Sequence, residues 1–122
     1  MGAVTIAIDI ANGLEKLYNC SYIYVMSELL FSWDDKKNIA NQRKHGISFE
    51  LAANVFFDPF HLSIQDRFEG GEQRWQTLGT VGGVVVLLVA HTVNDLDDGQ
   101  EKIRIISARK ATRLERKNYE RI

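Results

Sequence analysis

From residue 60 onward the chain alternates in the manner of strands. In "FHLSIQ" Phe60, Leu62 and Ile64 fall on one side, the period of a half-buried strand. "DRFEGGEQ" reads as a polar, glycine-containing loop, and "RWQTLGTV" as a second strand. Gly82 and Gly83 then supply a two-residue hairpin turn. "VVVLLVAHT" is apolar at every other position on both registers, so it is expected to be a central strand covered on both faces. "NDLDDGQ" is a loop and "KIRIIS" the last strand. Thr112 and Glu115 have the spacing of a capping box and predict a C-terminal helix.

Upstream the period changes. Asp34 or Asp35 can cap a helix through "KKNIANQRK", with Gly46 closing it and Lys44 and His45 near the negative end of its dipole. Ser48 can cap a second helix, "FELAANVF", with Glu50 in its first turn and Asp58-Pro59 as its stop. The predicted order is α-α-β-β-β-β-α. Short connections favour an α+β domain: two N-terminal helices, an antiparallel sheet of about four strands, and a C-terminal helix.

Residues 1–25 hold only three charges, Asp9, Glu15 and Lys16, and show no clean period. The conventional pattern begins at Met26. Residues 1–25 are therefore expected to be either an N-terminal extension, untranslated or poorly ordered, or a real strand and turn, and 26–122 the folded domain. A chain of 122 residues, 45% apolar and 25% charged, suits one soluble globular core. Cys20 is the only cysteine, which excludes an internal disulfide and a cysteine-built zinc site and fits a reducing cytoplasm. No apolar run has the length of a membrane span, and the N-terminus lacks the pattern of a signal peptide.

The net charge of −1 conceals an asymmetry. Residues 101–122 carry eight Lys or Arg against three acids, a local charge of +5. Arg113, Lys117 and Arg121 recur every four residues and form one row on a helix, with Arg116 beside it. Arg109 and Lys110 stand at the strand-to-helix turn, and Arg104 points away from Ile103 and Ile105. These cations are expected to converge on one region. They form either a solvated helix face or a surface for phosphate, where arginine forks onto oxygens and counterions are released. His91, at the end of the most apolar strand, is either a satisfied strand-end histidine or a proton-transfer group. His45 is either a helix C-terminal residue that complements the dipole or a phosphate or base contact. Glu72 and Arg74 are either a surface pair or include a cation for a developing phosphate charge. Tyr119 follows Glu115 by one helical turn and can pack on the sheet or offer its hydroxyl. The three histidines lack metal-ligand spacing, and no cofactor motif is present.

A wider pattern joins these residues. It runs through Phe31, Trp33-Asp34, Lys37, Asn41, Lys44-His45-Gly46, Phe49, Ala52, Phe56 and Asp58-Pro59. It continues through Glu72-x-Arg74, Gly79, His91-Thr92, "RIISAR-x-A", Glu115-Arg116 and Tyr119. This pattern, spanning residues 31–120, resembles the BrnT toxins. The resemblance implies a RelE-like fold and a type II toxin–antitoxin system. The expected activity is that of a metal-independent endoribonuclease that arrests growth, acts on RNA and needs no cofactor. It implies neutralisation by a BrnA-like ribbon-helix-helix antitoxin, with DNA reached only through that antitoxin, and a cytoplasmic location. Arg74, His91, Arg104, Arg109 and Tyr119 are the implied catalytic residues. Lys44, His45, Lys110, Arg113, Arg116 and Lys117 are the implied RNA contacts. The alternative is a non-catalytic nucleic-acid- or partner-binding module, or a co-repressor subunit. The acidic loop after His91 is expected to point away from the cations or to meet the antitoxin.

Overall fold

Seven strands form one mixed sheet in the computed structural model, which describes residues 6–8, 22–26, 29–96 and 99–121. They are β1 (Ile6–Ile8), β2 (Tyr22–Met26), β3 (Leu29–Trp33), β4 (Leu62–Glu69), β5 (Glu72–Val81), β6 (Val85–Asp95) and β7 (Glu101–Lys110). Their spatial order is β1-β2-β3-β7-β6-β5-β4. The four predicted strands are thus β4 to β7, and the sheet continues past them. β3 joins β7 in parallel, Leu30↔Lys102 to Ser32↔Arg104, so the sheet is mixed, not antiparallel throughout.

The segment "DRFEGGEQ" is not a loop. β4 and β5 continue through its ends, and only Gly70 and Gly71, at φ +62° and +81°, make the turn. Its polarity misleads because this hairpin stands on the sheet's edge, where nearly every side chain of β4 is exposed. Such an edge is guarded by charge and by a bulge, here between Gln65 and Phe68. Phe60 precedes β4, whose first residue is Leu62. The other hairpin closes with Val81 opposite Val85, so its loop has three residues, not two.

Helix α1 spans Asp35–His45, capped by Asp34, whose carboxylate accepts from the Lys36 amide at 2.8 Å, and closed by Gly46 at φ 74°. Its buried positions are Asn38 and Asn41. Beyond Arg104 no strand among the described residues pairs with the β3 side of β7, and Asn41 takes that place. Its amide donates to Ala108 O at 2.8 Å and to Ile47 O at 2.9 Å, and its carbonyl accepts from Ala108 N at 3.2 Å. Asn38 accepts from the Phe49 amide at 2.9 Å and so fastens the next helix. That helix, α2 (Phe49–Ala52), is a single turn that tightens into a 3-10 turn over Ala53–Phe57. One predicted helix is therefore two short pieces.

These pieces cover one face of the sheet. Phe49, Ala52, Ala53 and Val55 pack with Phe31, Trp33, Leu87, Val89, Ile103 and Ile105 as the main core. The 3-10 turn lies so close to β5 that a Cβ on Gly79 would sit 2.7 Å from Val55 Cγ1. On the opposite face Leu78, Val86, Leu88 and Ala111 form a smaller cluster under Tyr119 of α3 (Arg113–Glu120). Thr112 and Glu115 make the expected capping box. No helix among the described residues is long and apolar enough to cross a membrane.

Candidate functional site

A β-bulge decides which side chains share the open face. Alternation along β7 would put Arg104 and Arg109 on opposite sides, since five residues separate them. The ladder to β6, however, skips one residue: His91 pairs with Ile105 while Ala90 pairs with Ser107. Ile106 is the extra residue. Past it Ala108 turns into the core and is fully buried, and Ser107 and Arg109 join Arg104 on the other face. Arg74 reaches the same face from β5, next to Trp75, which pairs with the inward-facing His91. α3 covers only the hairpin end of this face.

The uncovered part holds a cavity of about 220 Å³, lined among others by Asp66, Arg67, Arg74, Gln76, Ser107 and Arg109. Each arginine has a carboxylate partner. Arg109 is gripped by both oxygens of Glu115, at 2.8 and 3.0 Å. Glu115 also accepts from the Thr112 amide at 2.8 Å, so one side chain caps α3 and fixes the arginine. The Arg109 hydrogen bond is the main reason the Glu115 carboxyl is held down at about 2. Arg104 lies 3.5 Å from Glu72, outside the cavity but on its face. Arg67 pairs with Glu69 at 2.8 Å, and Arg74 Nε lies 3.8 Å from the same carboxylate without a hydrogen bond. Asp66 differs: its carboxylate accepts from Gln76 at 3.2 Å, and no ion pair engages it among the described residues.

Two of the implied catalytic residues lie elsewhere. His91 points into the main core and is 2% exposed. Its Nε2 is 2.7 Å from Thr77 Oγ1, which is in turn 2.7 Å from Ser63 Oγ, and Phe56 meets it edge-on at 4.8 Å. Burial pushes its pKa down to about 4, with the Thr92 carbonyl opposing and His61 adding a little, so the ring is neutral at pH 7. It lines a separate cavity of about 280 Å³ on the helical face. Tyr119 donates to Asp58, at the mouth of a third cavity of about 910 Å³ by the β5–β6 hairpin. Asp58 also accepts from the Thr80 amide at 2.8 Å, the Thr80 hydroxyl at 3.1 Å and the Phe60 amide at 2.9 Å. Burial raises the Asp58 pKa, but these bonds outweigh it and the net shift is downward.

Among the implied RNA contacts, Lys44 and His45 end α1 on the helical side, away from the arginine face. Arg113, Arg116 and Lys117 are exposed on α3, and Lys110 is exposed at the end of β7. The expected convergence is thus partial. The Arg113–Lys117–Arg121 row is turned to solvent, because Glu115 and Tyr119 are the side of α3 that meets the sheet. Asp97 and Asp98 of the acidic loop lie outside the described residues. No group of three or more His, Cys, Asp or Glu among the described residues could hold a metal ion. Sequence reading missed Asp66, Gln76 and Ser107. The i, i+2 pairs Arg74/Gln76 and Ser107/Arg109 were the available signal.

Fold and site together define an α+β domain with an arginine-bearing cavity on the sheet face that its terminal helix leaves open. The model of the family described as "Ribonuclease toxin, BrnT, of type II toxin-antitoxin system" matches residues 33–115, and the chain belongs to that family. It is also similar to the crystal structure of the Brucella abortus ribonuclease toxin BrnT, with 22% sequence identity, 66% of this chain and 94% of that chain covered, and a TM-score of 0.48. No curated protein matches it.

Proposed function

We propose that this chain is a growth-arresting toxin that cleaves RNA without a metal ion and is neutralised by a BrnA-like ribbon-helix-helix antitoxin, through which alone it reaches DNA. The observation that carries the reading is the cavity shared by Arg74 and Arg109 on the open sheet face. RNA cleavage by attack of the ribose 2′-oxygen builds charge on a five-coordinate phosphorus, and preorganised guanidinium groups stabilise that charge. Arg74 and Arg109 take the scissile phosphate, Arg104 a neighbouring one, and the exposed cations of α3 the flanking strand. His91 and Tyr119 hold the frame: one inside the core, the other between α3 and Asp58.

The test is induced expression in a bacterium with RNA integrity as the readout. The wild-type chain should arrest growth and fragment RNA, and co-expression of an adjacent ribbon-helix-helix gene should restore growth. Arg74→Ala should slow cleavage by about 100-fold, the cost of one lost oxyanion contact. Intact RNA and unimpaired growth with the wild-type chain defeat the reading. One observation favours the co-repressor alternative: every arginine lining or flanking the cavity already has a carboxylate neighbour. In that case the complex shifts operator DNA in a gel and the chain alone leaves RNA intact.

A further inference from the structure

We propose that Asp66 is the general base of this site, the carboxylate that takes the proton of the ribose 2′-hydroxyl. The inference rests on the reading of the sheet face as a ribonuclease site. Three observations on the molecule single it out. Such a base must lie on the face that holds the phosphate, and Asp66 lines the same cavity as Arg74 and Arg109. His91 is behind the sheet and Tyr119 is engaged by Asp58 in another cavity. The base must also not be locked in an ion pair, since a carboxylate held by a guanidinium is not free to turn to the 2′-hydroxyl. Glu69, Glu72 and Glu115 are each within 4 Å of an arginine, and Asp66 is not. Finally, it must be held. Asp66 sits on the Gln65/Phe68 bulge, which re-aims an edge-strand side chain, and Gln76 donates to it at 3.2 Å.

The charged groups around it are Arg67 on β4, Arg74 on β5 and Arg109 on β7, with Glu115 of α3 behind Arg109. The O2′–H bond breaks and its proton passes to the Asp66 carboxylate. O2′ bonds to phosphorus and the P–O5′ bond breaks. The departing O5′ takes a proton from water, and Asp66 returns its own to solvent. The products end in a 2′,3′-cyclic phosphate and a 5′-hydroxyl.

The test compares full-length wild-type, Asp66→Asn and Asp66→Glu on RNA in a bacterial translation extract, with cut ends mapped by primer extension. Binding of a labelled 2′-deoxy oligonucleotide is measured alongside. Asparagine keeps the hydrogen bond from Gln76 and removes the base. Cleavage by Asp66→Asn should fall by about 100-fold or more. Its binding of the 2′-deoxy probe should hold or tighten, because a negative charge has left the cavity. Asp66→Glu should recover part of the rate. Wild-type cleavage by Asp66→Asn overturns the assignment while leaving the ribonuclease reading intact. Loss of probe binding together with cleavage overturns it too, since the residue then acts on the fold. If the wild-type chain itself cuts nothing, the ribonuclease reading falls, and this inference with it.

Discussion

At the scale of single residues, His91 shows how burial converts a chemical candidate into a packing element. A histidine near neutrality is suited to proton transfer only where it meets solvent or substrate. Here Phe56 lies against its ring and Thr77 binds Nε2, and burial lowers its pKa to about 4. The sign of the consequence is definite. The unfolded imidazole takes up a proton as pH falls through 6.5, while the folded one stays neutral until about 4. Stability is therefore complete above 6.5 and is lost progressively between 6.5 and 4. The loss is on the order of 3 kcal/mol at the acid end. Urea unfolding at several pH values should show this decline, and His91→Gln, which can still accept from Thr77, should flatten it. At pH 7 the same variant should cleave RNA as the wild-type does. A variant with unaltered pH dependence would show that the ring is not held neutral in the core.

At the scale of elements, α3 is unusual in what holds it. None of its residues is fully buried. It is tied at one end by Glu115, which caps the helix and grips Arg109, and at the other by Tyr119 on Asp58. Both carboxylates have lowered pKa values, so both ties are present at neutral pH and fail as pH drops through the folded values, about 2 for Glu115. Tyr119→Phe removes one tie and leaves a buried carboxylate short of a donor, at a cost of about 1–2 kcal/mol. Hydrogen exchange should then show the amides of α3 losing protection ahead of those of β6. Uniform loss across the sheet would mean that α3 unfolds only with the whole domain. The capping box behind this tie was legible from Thr112 and Glu115 alone, as were Asp34, Gly46 and Ser48 at the other helix ends. Such signals are local. The grip on Arg109 was not legible, because it depends on the bulge at Ile106. Nothing in "RIISAR" marks that residue as extra, and strict alternation would send Arg109 into the core. Likewise α1 carries no apolar stripe. Its buried face is two asparagines: Asn41 meets a free strand edge that only the assembled sheet presents, and Asn38 meets the Phe49 amide of the next helix.

At the scale of the whole molecule, charge was legible in amount but not in arrangement. The tail from residue 101 has eight cations, and sequence alone suggested that they act together. The fold separates them. Arg104 and Arg109 stand on the sheet face, and the Arg113 and Lys117 side of α3 faces water. Acids from other elements are then brought to the arginines: Glu69 and Glu72 from the hairpin, Glu115 from α3. This has a measurable consequence for RNA binding. A phosphate that displaces a carboxylate from its arginine releases its own counterions, but the freed carboxylate takes cations up again, so little salt is released on balance. For single strands the slope of log Kobs against log[salt] is about −0.7 for each phosphate neutralised. Eight independent cations would give a slope of about −5 or steeper. With Arg104 and Arg109 pre-paired, six of the eight remain, and a slope of about −4 is expected. Fluorescence anisotropy with a 2′-deoxy oligonucleotide across a salt series measures it without cleavage. Glu72→Gln should then steepen the slope by about one cation's share, because it unpairs Arg104 without removing it. Glu115→Gln is the less clean variant, since it also weakens the helix cap. A slope near −5 in the wild-type chain would mean that the internal ion pairs exert no hold on the arginines. In that case the tail, not the sheet face, dominates the contact with RNA.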